Sequence, residues 1–412
     1  MRLILCILFL LPWSLCAQKE ATKPTTEKQS ATPAGKLKVV NYDEAKIPAY
    51  TLPELLTAKD GRKIAISKDW EKMRRPELLE LFTSQVFGRI PATAFKKTVT
   101  VVKEDKTAMN GLATLKMVDI TITAKGKSLT IHLGLFIPNS ATKPVPAFLL
   151  ICNRAADNID FTRNKKSEFW PAEEVIARGY AIAAFDNADV DPDKDDGFKN
   201  GIHGLLDNGR TPESWGTLAA WAWGASRCMD YLVTDKRIDA HKIAVVGHSR
   251  GGKTSLWAGA NDQRFAMIIA NEAGCGGSSI SRRRFGETIY EINRGFPHWF
   301  CTNFRIYNNN EDALPVDFHM LLALSAPRLL YIASAEDDLW GDPHGQYLAL
   351  LNAVPAYNLF KDKSNLNEAM PARNTPVKSG NVAYHIRDGK HNLLLKDWNY
   401  FMDFADLHWK KQ

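Results

Sequence analysis

Residues 243–253, Ile-Ala-Val-Val-Gly-His-Ser-Arg-Gly-Gly-Lys, decide the predicted fold. The run 243–246 is short and apolar, which is typical of a strand that is covered on both faces of a sheet. Residues 247–251 then fit the pattern G-x-S-x-G, in which a serine occupies a tight turn between a strand and a helix. The glycines let the backbone pack closely, so the turn exposes the hydroxyl group at the carboxyl edge of the sheet. Ser249 is therefore predicted to be a nucleophile.

The same segment has a second interpretation. Residues 247–254 also satisfy G-x-x-x-x-G-K-[ST], the pattern of a phosphate-binding loop, which likewise lies between a strand and a helix. An apolar run that ends in aspartate, residues 181–186, precedes this segment and does not follow it. The features of an exported protein described below also argue against ATP as a ligand. We therefore favour the nucleophile.

Apolar runs and helical patterns alternate on both sides of the motif. Regular alternation of strand and helix predicts a parallel sheet with helices on both faces. Closer to the N-terminus, three runs alternate apolar and polar residues as antiparallel strands do. The predicted fold class is α/β, a three-layer αβα sandwich with a mostly parallel central sheet and antiparallel N-terminal strands. The buried runs are 147–152, 180–185, 243–246, 266–270, 328–333 and 381–386, and the alternating runs are 98–102, 115–123 and 129–137.

Four helical patterns accompany these strands. The first is residues 70–87, where apolar side chains recur at spacings of three and four. The others are residues 216–233, the stretch that begins at Lys253, and a terminal helix that ends near Trp409. Together with the strands they account for one large domain without an internal repeat.

Charge and composition exclude several classes of protein. The chain has 412 residues, of which 45% are hydrophobic and 24% charged, as in an ordinary globular protein. The formal net charge is +7, but the positive charges are scattered apart from the run 282–284. Nothing resembles a basic tail or a basic helix stripe, so we expect no nucleic-acid partner.

The N-terminus has the layout of a signal peptide. Arg2 supplies a positive charge, residues 3–12 an apolar core, and residues 15–17 a plausible cleavage site. Residues 1–17 are therefore predicted to direct export to the periplasm or secretion. A lipoprotein anchored through Cys16 is the alternative, but the preceding leucine fits a lipobox poorly. The apolar run is shorter than the ~20 residues of a membrane-spanning helix, so we expect no stable membrane insertion.

Two regions follow the predicted signal peptide. Residues 18–37 are rich in lysine, threonine, alanine, proline and glutamine and have almost no large apolar side chains. Such a segment cannot bury a core and is predicted to be a disordered linker. Residues 38–412 are predicted to form the catalytic domain, with an antiparallel N-terminal extension.

Neither a metal nor another cofactor is expected. The chain has no C-x-x-C sequence and no Cys/His ligand pair. The acid-rich stretch 189–196 lacks the glycine and glutamate of a calcium-binding EF-hand loop, because Asp196 and Ile202 occupy those positions. We interpret it as a solvated or site-bordering loop. Four cysteines of the mature chain do not form a disulfide framework, and their pairing stays open: Cys152, Cys228, Cys275 and Cys301.

A nucleophilic serine needs a base, and the chain order for G-x-S-x-G proteins is serine, acid, histidine. His391 lies in the loop 389–392, between the last predicted strand and the last helix, where the base is expected. His385 falls inside the strand pattern and His408 inside the terminal helix, so both are interpreted as structural. His391 is therefore the predicted base.

Two carboxylates are candidates for the acid. Asp338 follows the strand that ends near Ala333, and Glu272 follows the preceding strand. Either side chain, or both together, could orient His391 and stabilise its protonated form. The sequence leaves open which of them operates.

Several stretches resemble one known family. Residues 247–253 resemble the G-H-S-R-x-G-K signature of glucuronoyl esterases, carbohydrate esterase family 15. Residues 221–224, 284–287 and 296–300 are similar to the bacterial branch of that family. Residues 340–343, Trp-Gly-Asp-Pro, are similar to the family's W-A-D-P, with glycine in place of alanine.

The resemblance implies an α/β-hydrolase fold and assigns roles to the predicted residues. Ser249 would be the nucleophile and His391 the base. Glu272 matches the acid position of fungal members, and Asp338 matches the position used by many bacterial members. Arg250 would assist the oxyanion hole through its backbone N–H and its side chain.

The resemblance also implies a substrate. Lys253, Glu287 and Trp340 match residues that hold a glucuronate ring. The expected activity is hydrolysis of esters of (4-O-methyl-)glucuronic acid, as in lignin–glucuronoxylan crosslinks, through a covalent glucuronoyl-enzyme and without a cofactor. The alternative is a carboxylesterase or acetyl-xylan esterase that acts on another acyl group. The preferred alcohol, the choice between glucuronate and galacturonate, and the oligomeric state stay open.

Overall fold

The structure is a computed structural model. It describes residues 30–31, 37–38, 40–154 and 156–410. The predicted signal peptide lies outside these residues, and so does most of the predicted linker. Among the described helices, none combines the length and the apolar character needed to cross a bilayer.

The chain divides into two compact units, Met1–Val40 and Asn41–Gln412. Within the first unit, the described residues form an antiparallel pair of short strands, β1 (Ser30–Ala31) and β2 (Leu37–Lys38). The second unit contains the main sheet and the helices.

One mixed sheet runs through the second unit. In the described residues it has ten strands, in the order β11-β12-β10-β9-β8-β6-β7-β5-β4-β3. The six strands from β12 to β7 are parallel to one another, and β11 pairs antiparallel with β12 at one end of the sheet. At the other end, β3, β4 and β5 form an antiparallel meander that joins the sheet at β7. The strands are β3 (Lys96–Asp105), β4 (Ala113–Ala124), β5 (Lys127–Pro138), β6 (Val145–Cys152), β7 (Ala181–Asp186), β8 (Ile238–His248), β9 (Met267–Asn271), β10 (Leu329–Ala335), β11 (Val377–Ser379) and β12 (Val382–Arg387).

Helices cover both faces of the sheet. The α-helices of the described residues are α1 (Ser67–Asp69), α2 (Arg75–Phe82), α3 (Ala172–Ala177), α4 (Gly201–Leu206), α5 (Thr217–Leu232), α6 (Arg250–Asn261), α7 (Ile289–Gly295), α8 (Phe318–Ala323), α9 (Pro343–Asn358) and α10 (Leu395–Trp409). Two π-helical turns, Trp70–Arg74 and Thr83–Phe87, adjoin α2.

The side chains of β6 show how the layers form. Ala147, Leu149 and Ile151 pack into one buried cluster, with α5, α6, α8 and α9. The alternate residues Phe148 and Leu150 pack into a second cluster on the other face, with α3 and α10. Because side chains of a strand alternate between the two faces of a sheet, one continuous apolar run supplies both cores.

The parallel register brings four loops to one edge of the sheet. His248 at the end of β8 pairs with Asn271 at the end of β9, and Asn271 pairs with Ala333 of β10. Ala335 in turn pairs with Arg387, the last residue of β12. The loops that follow these strands therefore start side by side, at the edge where ligands bind in open α/β sheets.

The predicted fold class is confirmed, with differences in detail. The strand predicted at 243–246 begins earlier, at Ile238, and the helix after it begins at Arg250 and not at Lys253. The helices α8 and α9 were not predicted. The helix α9 is apolar on most of its circumference and contains Pro355, so it lacks the one-sided pattern that indicates a helix. The four cysteines are buried and unpaired.

Candidate active site

Ser249 occupies a sharp turn between β8 and α6. Its backbone has φ 57° and ψ −122°, a conformation that costs residues other than glycine ~1–3 kcal/mol. Gly247 permits this turn, because a Cβ there would lie 1.9 Å from the carbonyl oxygen of Gly251. The backbone N–H of Ser249 donates to the carbonyl oxygen of Asn271 (2.8 Å), which ties the turn to β9. The serine itself is partly exposed.

His391 lies next to this turn. It belongs to the loop between β12 and α10, and its ring centroid is 4.5 Å from that of His248, the residue before Ser249. Its side chain is 40% exposed. The two histidines are far apart in the chain, and the shared carboxyl edge of β8 and β12 brings them together.

Both candidate acids contact the same nitrogen of His391. The Nδ1 atom lies 2.7 Å from Oδ2 of Asp338 and 2.9 Å from Oε2 of Glu272. A carboxylate can only accept a hydrogen bond, so Nδ1 carries the proton and Nε2 is the nitrogen that can take one up. The distances do not choose between the two acids, and the site has both.

Glu272 is surrounded by hydrogen-bond donors. Oε1 accepts from Nη2 of Arg387 (2.6 Å), and Oε2 accepts from the backbone N–H of Asn392 (2.9 Å). The residue is 2% exposed. Burial raises the pKa of Glu272 to about 7, against the opposing effects of His391 and Arg387. The donors therefore stabilise a carboxylate that burial alone would protonate.

The two acids raise the basicity of His391. Burial lowers its pKa, but the hydrogen bonds and charges of Asp338 and Glu272 outweigh burial and raise the pKa to about 9. The pair therefore stabilises the imidazolium that forms when a histidine takes a proton from a nucleophile.

The side chain of Arg250 is held beside the site. Its guanidinium forms an ion pair with Asp193 and lies over the ring of Trp299, 4.8 Å from the centroid. Asp193 also accepts from Nε1 of Trp299 (2.7 Å) and lies 2.9 Å from Nε2 of His298. Burial raises the pKa of Asp193, but these partners lower it to about 2. The acid-rich stretch 189–196 therefore borders the site through Asp193. A site-bordering loop was one of its two interpretations from the sequence.

Three further predicted residues form a contiguous group. Lys253, one helical turn after Ser249, donates from Nζ to the carbonyl oxygen of Ala273 (2.5 Å) and lies 3.8 Å from Oε2 of Glu287. The side chain of Trp340 hydrogen-bonds to the carboxylate of Glu287. Burial lowers the pKa of Lys253 and raises that of Glu287. The half-buried indole of Trp340 completes this group.

A layer of polar residues behind His391 was not predicted from the sequence. Arg387 and Asp397 are fully buried and paired, with Nε of the arginine 3.1 Å from both carboxylate oxygens. On the other side, Nη2 of Arg154 lies 3.3 Å from Nε2 of His248. The sequence carried no clear signal for Arg387, because it is a single charged residue that directly follows the predicted strand 381–386.

One group of side chains has the composition of a metal site. Ligand atoms of His248, Glu272 and His391 lie within 4.8 Å of one another. Arg154 contacts His248 and Arg387 contacts Glu272. Two guanidinium groups on a three-ligand cluster repel a cation, so this donor set fits acid–base chemistry better than metal binding.

Fold and site together define a class of protein. The site combines a partly exposed serine on a strand-to-helix turn with a histidine after the last parallel strand, and two carboxylates contact Nδ1 of that histidine. This combination is typical of an ester hydrolase of the α/β-hydrolase fold. A family model described as "Glucuronyl esterase, fungi" matches residues 120–360. The chain belongs to the glucuronoyl esterase family, carbohydrate esterase family 15.

Individual relatives agree with this membership. A protein named carbohydrate esterase MZ0003, from an unknown prokaryotic organism, is 41% identical over 400 residues, which are 89% of this chain and 92% of that protein. The structure of a glucuronoyl esterase from Solibacter usitatus is similar with a TM-score of 0.83 and 40% identity, over 89% of this chain and all of that one. A structure described as a promiscuous CE15 esterase from a marine bacterial metagenome has a TM-score of 0.81 and 41% identity, over 90% of this chain and 100% of that chain.

Proposed function

We propose that this protein hydrolyses esters of (4-O-methyl-)glucuronic acid by two-step acyl transfer from Ser249. The observation that carries the proposal is the juxtaposition of His391, with its two carboxylates, and the turn of Ser249 in a member of the glucuronoyl esterase family. The ester bonds that join lignin to glucuronoxylan are the natural substrates that we propose.

In the first step, Oγ of Ser249 attacks the C6 carbonyl carbon of the uronate while Nε2 of His391 accepts the hydroxyl proton. The carbonyl oxygen becomes an oxyanion and accepts a hydrogen bond from the backbone N–H of Arg250, since the first N–H groups of a helix have no partner within the helix. The pair with Asp193 keeps the guanidinium of Arg250 nearby as a second donor.

Collapse of the tetrahedral intermediate releases the alcohol, which takes the proton from His391, and leaves a glucuronoyl ester on Ser249. Water then attacks this ester while His391 again accepts a proton, and the second collapse returns the proton to Oγ. Asp338 and Glu272 stabilise the imidazolium in both steps. His391 passes the first proton to the leaving alcohol and the second to Oγ of Ser249. Protons are therefore balanced over the cycle, and no cofactor takes part.

Lys253, Glu287 and Trp340 are proposed to hold the sugar ring. A lysine ammonium and a carboxylate supply a donor and an acceptor for sugar hydroxyls, and an indole packs against the apolar face of a pyranose. Their contacts with one another, in a group that includes the residue one helical turn after Ser249, support a site for the acyl part of the ester.

The test uses the purified chain with the benzyl ester of glucuronate. We expect alcohol release that Ser249→Ala abolishes, with His391→Ala equally impaired. Ser255→Ala is the matched control, because Ser255 is a buried serine on α6 whose hydroxyl donates to the carbonyl oxygens of Gly252 and Ile269. Full activity in the Ser249 variant would remove this serine from the mechanism.

A broader acyl specificity is the second candidate. A relative with 41% identity is described as promiscuous, which favours activity on acetyl-xylan or simple carboxylic esters as well. Equal kcat/KM on acetyl and glucuronate esters would support it. A preference for glucuronate that Lys253→Ala or Glu287→Gln removes would support the glucuronoyl esterase.

We also propose that residues 1–17 are a cleaved signal peptide and that residues 38–412 are the exported catalytic domain. Residues 18–37 are proposed to be a linker, of which the described residues belong to the short strand pair of β1 and β2. N-terminal sequencing of protein recovered from the periplasm or medium tests the cleavage site. If the protein is instead attached to the membrane, and Cys16→Ala releases it, the protein is a lipoprotein.

A further inference from the structure

Arg387 occupies a position behind the proposed catalytic residues. It is the last residue of β12, four positions before His391, and its side chain is fully buried. Its guanidinium contacts Glu272 and the carbonyl oxygens of Asp388 and Asn392, which orient or flank His391. Its remaining polar contact is with Asp397, which holds the arginine itself.

The first set of contacts holds the loop of the base. Nη1 of Arg387 donates to the carbonyl oxygen of Asp388 (3.0 Å), and Nη2 donates to that of Asn392 (2.7 Å). These two residues lie on either side of His391 in the chain. One planar group therefore restrains the loop before and after the imidazole.

The second contact orients Glu272. Nη2 of Arg387 donates to Oε1 at 2.6 Å, which leaves Oε2 for Nδ1 of His391 and the backbone N–H of Asn392. The carboxylate is thus held at both oxygens, with one of them directed at the imidazole. The contact from Arg387 is a single charge-assisted hydrogen bond, which is stronger than a neutral one, and the donors on Oε2 fix the other end of the carboxylate.

Asp397 in turn fixes Arg387. Both of its oxygens lie 3.1 Å from Nε of Arg387, and Oδ2 accepts from the backbone N–H of Leu394 (2.8 Å) at the start of α10. Oδ1 also lies 2.8 Å from Nε2 of His385, whose Nδ1 lies 3.0 Å from the hydroxyl of Tyr331. The arginine is therefore connected to two strands and a helix, and it has little freedom to rotate.

We propose that Arg387 is a positioning residue for the ester hydrolysis, which acts through Glu272 by keeping that carboxylate charged and directed at His391. The inference rests on the proposed function, because it assigns a purpose to the same site. It adds a residue four positions upstream of the base that is outside the serine–histidine–acid set.

The charges around Glu272 determine what removal of Arg387 does. The groups that face it are His391 from the loop after β12, Asp338 from the loop after β10, His248 at the end of β8, and Arg154 from the loop after β6. Arg387 and its partner Asp397 lie behind it. Removal of the arginine cation favours protonation of Glu272. Because Glu272 and His391 titrate as a coupled pair, the last proton then leaves that pair only at higher pH.

The experiment compares two variants. Arg387→Gln removes the charge, whereas Arg387→Lys keeps the charge but loses the planar guanidinium with its several N–H donors. Both should lower kcat by at least about tenfold with a small change in KM, because displacement of a catalytic group by ~1 Å costs up to ~100-fold. Only the glutamine variant should also shift the acid limb of the kcat/KM profile to higher pH.

A double variant tests whether the effect passes through Glu272. In the Glu272→Gln background, Arg387→Gln should cause a much smaller shift of the acid limb, because the carboxylate that the arginine serves is absent. Additive shifts, or an acid limb that Arg387→Gln leaves unmoved, would overturn the proposal. Arg328→Gln is the matched control. This half-buried arginine precedes β10 at the opposite edge of the sheet and donates to four backbone carbonyls, so its substitution should lower stability without moving the profile.

A second readout is independent of the substrate. NMR titration of the His391 ring in the Ser249→Ala background measures its pKa directly, with and without Arg387→Gln. If the wild-type chain fails to hydrolyse glucuronate esters, the proposed function fails, but an upward shift of this pKa still supports the role of Arg387. An unchanged pKa in a folded variant refutes that role, whatever the substrate.

Discussion

The presence of two carboxylates on one imidazole nitrogen leads to a sharp prediction for Asp338→Asn and Glu272→Gln. Oδ2 of Asp338 and Oε2 of Glu272 lie 2.7 Å and 2.9 Å from Nδ1 of His391. Either oxygen is within reach of the Nδ1 proton when the other is lost. We therefore expect each single variant to retain activity and the double variant to lose nearly all the contribution of the acid.

The magnitude follows from the behaviour of a serine hydrolase with one acid. Replacement of that acid by its amide lowers kcat by about 10⁴, or about 5.4 kcal/mol at 1.36 kcal/mol per factor of ten. With a second carboxylate in place, Asp338→Asn should cost only about 10- to 100-fold, about 1.4–2.7 kcal/mol on the same scale. The double variant should approach the full loss of about 10⁴.

Glu272→Gln carries an additional cost in stability. The carboxylate is contacted by Nη2 of Arg387, the N–H of Asn392 and Nδ1 of His391, and all three are donors. In the variant, the amide nitrogen of the glutamine would face one of these donors, and neither group would have a hydrogen-bond acceptor. A buried unsatisfied donor costs about 1–3 kcal/mol, which denaturant unfolding would measure.

The assay is kcat/KM on the benzyl ester of glucuronate as a function of pH for the wild type, both single variants and the double variant. Loss of either carboxylate lowers the pKa of His391, since each of them raises it. The acid limb should therefore move to lower pH in each single variant, and further in the double variant. A loss near 10⁴ in one single variant, with no loss in the other, would refute the idea that the two acids share the role.

Three other predictions concern the same site. For the wild type, kcat/KM should rise with pH until His391 is deprotonated near its pKa of about 9, and a plateau reached already at acid pH would contradict this. Gly247→Ala should abolish folding or activity, because the new Cβ would lie 1.9 Å from a backbone oxygen of Gly251; unchanged thermal stability and kcat would show that the turn can relax. The pKa of Asp193 is lowered to about 2. Its pairing therefore stabilises the fold when the pH is above the ordinary pKa range of a carboxylic acid, and this contribution is lost as the pH falls towards 2. Asp193→Asn should therefore reduce the free energy of unfolding at neutral pH and flatten its decline in acid, and it should lower kcat if the guanidinium of Arg250 serves the oxyanion.

The fold was predictable because its signals are local. The apolar runs at β6, β7, β8, β9, β10 and β12 are short and continuous, and the alternation with helices implies a parallel sheet. The helix α9 gave no such signal, since it is buried on most sides and its apolar residues are not confined to one face. Its position depends on what packs around it.

The site was predictable only to the level of its candidates. The residues Ser249 and His391 could be chosen because a motif marks the serine and chain order marks the histidine. No local pattern could choose between Glu272 and Asp338, since the answer depends on distances across two loops. The structure brings both to the same nitrogen.

The buried arginine shows a limit of a different kind. In the sequence, Arg387 is one charged residue at the end of a strand and resembles an ordinary solvated position. Its importance comes from Glu272 and Asp397, which lie on other elements of the fold. A charge that is fully buried is recognisable as functional only when its partners are known.

By itself, the sequence determined the layered fold and marked the turn of Ser249 and the candidate base His391, because strand periodicity, glycine positions and chain order can be read from the chain alone. Only the tertiary structure decided that two acids and a buried arginine converge on His391. The strength of electrostatic interactions depends on distance and burial, and both are set by the packing of segments that are remote in the chain.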